Sequence, residues 1–131
     1  PADDLLTLRE IYRVLAPEGA YLLDLINWTL ARQAFDGRYQ ESYSKFDVVE
    51  ECRVDPGTNL LHIRRALLFR DGSRLHTYEF EIRMFDQATL AGLLKEAGFD
   101  ILDFWGGFDR SDYDPANSYR MIALCRKKRS R

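Results

Sequence analysis

Residues 20–26, AYLLDLI, form a nearly unbroken apolar run in which Asp24 is the only charge. The run does not alternate, which predicts a strand covered on both faces, as in the middle of a parallel α/β sheet. The residues before it restrict how it is reached. Leu5, Leu8, Ile11, Tyr12 and Leu15 recur at helical spacing, predicting a helix from about Asp4 to Ala16 with Asp3 or Asp4 at its N-cap. Pro17 drives Ala16 out of the helical region, and Gly19 is expected to supply a positive φ for the reversal.

Downstream, residues 27–43 are polar, aromatic and irregular, with Trp28, Phe35, Tyr39 and Tyr43 spread through them, and read as a loop or short helix over the strand end. Three strands follow, separated by VDPGTN at 54–59 and RDGS at 70–73, both hairpin signals. A two-residue loop at Asp71-Gly72 sets Arg70 opposite Ser73. It then pairs Leu61, Ile63 and Leu67 with Ile82, Phe80 and His76 on one face, and Arg64 and His62 with Glu79 and Glu81 on the other. Asp86 is placed to cap a helix with Leu90, Leu93 and Leu94 inward and Gly98 at its end. FDILDFW and SYRMIALCRK read as two last strands, and the polar, acidic segment 106–117 joins them.

The chain of 131 residues fits one domain, and its 46% apolar and 31% charged content is that of a soluble globular protein. A net charge of −2 argues against a nucleic-acid partner, and no apolar stretch approaches the roughly 20 residues needed to cross a bilayer. Cys52 and Cys125 lack CxxC spacing, which favours reduced, buried thiols in a cytoplasmic protein. His62 and His76 fall on opposite faces of the expected hairpin, so no metal site is expected. His62 is read as part of a charge ladder between Glu51 and Glu81, and the basic run at 126–129 as a solvated tail.

With these elements in order, REIYRVLAPEGAYLLDLIN resembles the helix, RvLkPGG turn and strand near the middle of class I S-adenosylmethionine-dependent methyltransferases. LAGLLKEAGFDILDFWGG resembles the later helix and strand of that family, and SYRMIALCRK its final antiparallel strand. Glu18 stands where the family usually has a glycine. The resemblance runs from about Leu5 to Lys127. It implies the C-terminal part of a Rossmann-like methyltransferase sheet, within one partial domain over 1–131, carrying a three-stranded antiparallel insert at 44–85.

In that fold the strand order is 3-2-1-4-5-7-6, and residues 21–26 would be the fifth strand. The implied cofactor is S-adenosyl-L-methionine, but the family's glycine-rich loop and the acidic residue for its ribose have no counterpart here. The cofactor-binding half is therefore expected outside these residues, which leaves one edge of the 21–26 strand bare. Such an edge invites pairing, with a second chain or with an N-terminal half.

The resemblance directs attention to groups near the carboxyl end of the fifth strand. The candidate substrate-binding residues are Asn27 and Trp28 at the strand end, Tyr39 (with Tyr43) in the segment after it, Arg83 in IRMF, and Trp105 and Tyr113 in the last loop. Phe108, Asp109 and Asp112 share that loop. No residue is assigned a catalytic role. The expected activity is methyl transfer to a small-molecule acceptor; a stand-alone ligand-binding module and a non-catalytic partner subunit are the alternatives.

Overall fold

A computed structural model describes residues 2–34, 37–72 and 75–128. It divides into two compact units, the chain leaving the first after Leu30 and returning to it at Phe85, with 31–84 forming the second.

The first unit contains α1 (Ala2–Val14), β1 (Ala20–Ile26), most of the one-turn α2 (Trp28–Ala31), α3 (Gln87–Glu96), β6 (Phe99–Trp105) and β7 (Arg120–Lys127). Its sheet has the order β1-β7-β6, with β7 antiparallel to both neighbours, so β1 and β6 run the same way. The centre of β7 is the driest part of the molecule, with Met121, Ile122, Ala123 and Cys125 all at 0% exposure. Leu8 of α1 and Leu90 and Leu94 of α3 join Phe99, Met121, Ala123 and Cys125 in one core, against which Tyr21, Leu23 and Leu25 pack. Asp86 caps α3 as expected, its Oδ1 accepting from Thr89 N at 2.7 Å. Gly98, at φ 105, ends the helix, and a Cβ there would stand 3.2 Å from the Tyr12 ring. Burial pushes the Cys125 thiol up to about 11. Both cysteines are free and buried.

Three details of this unit differ from expectation. α1 begins at Ala2, which puts Asp3 and Asp4 in its first turn, where they favour the helix dipole and do not cap. In the turn it is Glu18, at φ 61, that takes the left-handed conformation, and Gly19 is needed for another reason. Gly19 N donates to Ala16 O at 2.9 Å, and a Cβ on Gly19 would stand 2.8 Å from that same oxygen. The glycine permits a close approach. The third difference is in β1, which is not covered on both faces within this unit. Tyr21, Leu23 and Leu25 meet the core, while Leu22 on the other face is 47% exposed. No parallel partner lies beside β1 among the described residues.

The second unit is one antiparallel sheet, β2 (Gly37–Ser42), β3 (Phe46–Asp55), β4 (Leu60–Phe69) and β5 (Leu75–Arg83), in the order β2-β3-β4-β5. The β4–β5 register is the one the Asp-Gly loop dictates: Leu61↔Ile82, His62↔Glu81, Ile63↔Phe80, Arg64↔Glu79 and Leu67↔His76. Ser73, the expected partner of Arg70, lies outside the described residues, as do Phe35 and the tail from Arg129. β2 is an additional strand where the sequence reads as loop or short helix. Every residue in it is exposed, so no alternation marks it, and it is held as an edge strand by pairing with β3. Its presence makes this sheet four-stranded rather than three-stranded.

The two turn residues make opposite demands. Gly19→Ala is expected to cost about 1–3 kcal/mol, because backbone must move to admit the Cβ. Glu18→Gly is expected to gain up to about 1 kcal/mol by relieving a left-handed conformation. Urea denaturation of both variants checks this, and a neutral Gly19→Ala would remove the close-approach argument.

Candidate functional site

The carboxyl end of β1 is built around Asn27, a polar side chain with 0% exposure. Its Oδ1 accepts from Thr29 N at 3.1 Å, satisfying an amide in the first turn of α2. Its Nδ2 donates to Pro115 O at 2.9 Å and to Ser118 O at 2.8 Å, in the segment between β6 and β7. The Tyr113 hydroxyl donates to Asn27 Oδ1 at 2.9 Å. Burial raises the Tyr113 pKa. Two of the expected site residues therefore meet. Asn27 uses both amide protons and its oxygen within the protein, however, so its geometry is that of a clamp between strand end and loop. Trp28, the first residue of α2, is buried beside it in sequence.

Trp105, the last residue of β6, has its indole N–H on Asp103 Oδ2 at 2.8 Å and the Arg110 guanidinium over its ring at 5.2 Å. The loop beyond it is internally tied. Asp109 accepts from the Ser111 backbone and hydroxyl, and Asp114 from Ala116 N and Asn117 Nδ2; these bonds hold both carboxyls below their usual range. Phe108 stands out from this loop, 73% exposed.

An ion pair that sequence reasoning passed over closes the same strand end. Arg120 forks onto Asp24, Nε to Oδ1 at 2.7 Å and Nη2 to Oδ2 at 2.6 Å, which raises the Arg120 pKa. The signal was available: Asp24 is the one charge in an apolar strand, and such a residue needs a partner.

Tyr39 and Arg83 belong to the second unit and lie on opposite faces of its sheet. The pairings put Tyr39 in a row with Glu50, Arg65 and Tyr78, whereas Arg83 ends β5 opposite Leu60. On the Arg83 face, His62 Nδ1 meets Glu81 Oε1 at 2.7 Å. Its neighbour across β3 is Arg53, and Glu51 pairs instead with Arg64, so the ladder runs Arg53, His62, Glu81. His62 and His76 lie on opposite faces, and no metal-holding group of three or more His, Cys, Asp or Glu occurs among the described residues.

Of the glycines at strand ends, Gly19 leads into a strand and packs on Ala16, while a Cβ at Gly106 would run into the Ser118 side chain. Neither opens a helix from a strand with free backbone N–H groups.

The chain matches solved structures of methyltransferases. A methyltransferase from Streptomyces caelestis, CcbJ, aligns with TM-score 0.77 and 20% identity over 94% of this chain and 52% of its own. An S-adenosylmethionine-dependent methyltransferase from Clostridium acetobutylicum aligns with TM-score 0.80 and 15% identity over 95% and 50%. CalS10, an amino pentose methyltransferase from Micromonospora echinaspora with S-adenosylmethionine bound, gives 0.56 and 16% over 95% and 50%. No protein-family model and no curated protein matches the chain. At these identities the likeness is one of fold: a mixed α/β chain with antiparallel sheets that spans about half the length of the methyltransferases it matches. No helix among the described residues is long and apolar enough to cross a membrane.

The clamp reading of Asn27 has measurable consequences. Asn27→Ala leaves Pro115 O, Ser118 O and Thr29 N without their partner and is expected to cost about 2–4 kcal/mol in urea unfolding. Tyr113→Phe, which removes one bond of the set, should cost about 1 kcal/mol. An Asn27→Ala variant as stable as the parent would show that the network is not structural.

Proposed function

We propose that this chain is the C-terminal, substrate-side portion of an S-adenosylmethionine-dependent methyltransferase acting on a small molecule. The observation that carries the reading is the sheet order β1-β7-β6, with an antiparallel β7 between two strands of like direction. That is the closing 5-7-6 of the order 3-2-1-4-5-7-6. The fold likeness supports it, because nearly the whole chain aligns with about half of each methyltransferase.

In this reading the cofactor cradle is supplied by the remainder of the protein, joined at the outer edge of β1. The 131–residue chain taken alone is inactive. When bound, the cofactor would supply an electrophilic methyl group. Methyl transfer from a sulfonium is an in-line displacement, in which the protein's work is alignment and exclusion of water. At the carboxyl end of β1, Asn27 fixes the loop carrying Tyr113 and starts α2 at Trp28, which gives that end a rigid, partly aromatic wall. Trp105, at the end of the parallel-running β6, contributes a ring whose polar edge is already satisfied by Asp103. No residue here is placed as a general base, and the reading needs none beyond a correctly held acceptor.

The reading is tested by titrating S-adenosylmethionine calorimetrically into the chain and into the product of the full reading frame that encodes it. The chain alone should give no saturable heat, and the longer product should bind at micromolar concentration. Tight binding by the chain alone would contradict the division of labour, and no binding by the longer product would remove the methyltransferase assignment.

A further inference from the structure

The second sheet ends in β2 on one side and β5 on the other, and no strand lies beyond either among the described residues. Residues 37–42 and 76–79 are all exposed, so neither stretch is packed under the rest of the chain. Tyr43 N donates to Phe46 O at 2.9 Å, one rung beyond the β2–β3 ladder, so β2 bonds to β3 through its odd-numbered residues. The backbone groups of Arg38, Gln40 and Ser42 therefore point outward. Met84 N donates to Asn59 O at 2.9 Å, one rung beyond the β4–β5 ladder, so β5 bonds to β4 through its even-numbered residues. Thr77 and Glu79 point their backbone groups outward on that side.

One row of side chains crosses the whole sheet in alternating sign: Arg38, Glu51, Arg64 and Glu79. Arg64 stands between the two carboxylates, 3.6 Å from Glu51 and 3.6 Å from Glu79. The row thus opens with a cation on the β2 edge and closes with an anion on the β5 edge. Every neighbouring pair in the sheet is antiparallel, so β2 and β5 also run opposite ways. A second copy in the same orientation can therefore add its β2 to the first copy's β5 as the next antiparallel strand. Outward residues then meet outward residues, and each face of the sheet continues into the same face of the next copy.

We propose that copies of this chain join head to tail through the second sheet, β5 of one pairing with β2 of the next so that Glu79 faces Arg38. Thr77 then faces Gln40, and the alternating row runs on across the seam. On the other face His76 stands opposite Glu41, whose carboxylate has acceptor positions beyond its bond from the Tyr43 hydroxyl. Sliding by two residues sets Arg38 either on Thr77, where no ion pair forms, or on Glu81, which His62 already holds at 2.7 Å. Two-fold pairings are poorer. β2 against β2, about Tyr39 or Gln40, sets Arg38 on Gln40 or Ser42. β5 against β5, about Glu79 or Phe80, sets Glu79 on Glu79 or Glu81, like charge on like. Charge complementarity therefore selects the heterologous seam, which propagates or closes into a ring. It is built only from the edges of the second unit and stands apart from the methyltransferase reading.

Proline at an outward position blocks one edge, and an edge strand tolerates it where the lost N–H faces solvent. Gln40→Pro closes the β2 edge and Thr77→Pro the β5 edge of the whole chain. In amide-resolved NMR, unlabelled Thr77→Pro chain added to isotope-labelled Gln40→Pro chain should give saturable shifts at Thr77 and Glu79, and none at Arg38 or Ser42. Each variant alone should show no concentration-dependent shift at these amides. Arg38→Gln added to the Thr77→Pro chain should weaken the pairing about two- to fivefold, the effect of an exposed cross-strand ion pair. The parent chain gives a readout free of either proline: Arg38, Gln40, Thr77 and Glu79 should shift together on dilution. The proposal is overturned by the absence of saturable shifts at millimolar protein, or by an unchanged affinity with Arg38→Gln. It is equally overturned if Thr77→Pro alone associates through Arg38, Gln40 and Ser42, because copies would then meet β2 to β2. Leu22, Asp24 and Ile26 report on β1 separately, so this seam and that edge are read apart.

Discussion

The first unit depends on β7 being paired on both sides. β1 and β6 run in the same direction and are not paired with each other; each is held by hydrogen bonds to the antiparallel strand between them. The side chains that β7 sends inward, Met121, Ala123 and Cys125, are the floor on which α1 and α3 pack. Residues near the end of the sequence are thus the centre of the sheet, and the unit cannot close its core until they are in place. The Asn27 clamp and the Asp24–Arg120 fork sit at the same junction and fix how the chain enters and leaves it.

The same arrangement leaves β1 half used. Lys127 N donates to Gly19 O and Asn27 N to Tyr119 O, which places the odd-numbered residues of the strand in hydrogen-bonded pairs with β7. The amides of Leu22, Asp24 and Ile26 therefore point to the other edge, where no strand lies among the described residues. An apolar strand with a row of unspent donors and acceptors is a template for a further strand. The proposed seam to the cofactor-binding part of a methyltransferase runs along it.

Much of this was legible in the sequence, and for local reasons. The Asp-Gly turn fixes a two-residue loop, and only one register then explains both the apolar and the charged faces of β4 and β5. The α3 cap and stop are likewise set by residues within a turn of the helix ends. Where reading failed, the determinant lay elsewhere in the chain. β2 has no buried residue to give it a period and takes its form from β3. β1 has the composition of a doubly covered strand, yet both long helices of its unit pack on one face. Glu18 took the left-handed turn because the close approach to Ala16 already claimed Gly19. At the site, Asn27 and Tyr113 were recognisable as candidates, but the partners that make Asn27 a clamp are 86 to 91 residues away. No spacing in one sequence encodes such contacts.

The central claim is that the outer edge of β1 is an interface. Amide hydrogen exchange on the 15.3 kDa chain, combined with light scattering, tests it most directly. The account predicts particles larger than a monomer, with Leu22, Asp24 and Ile26 protected alongside Tyr21, Leu23 and Leu25. A monomer in which Leu22, Asp24 and Ile26 exchange at unprotected rates would contradict it.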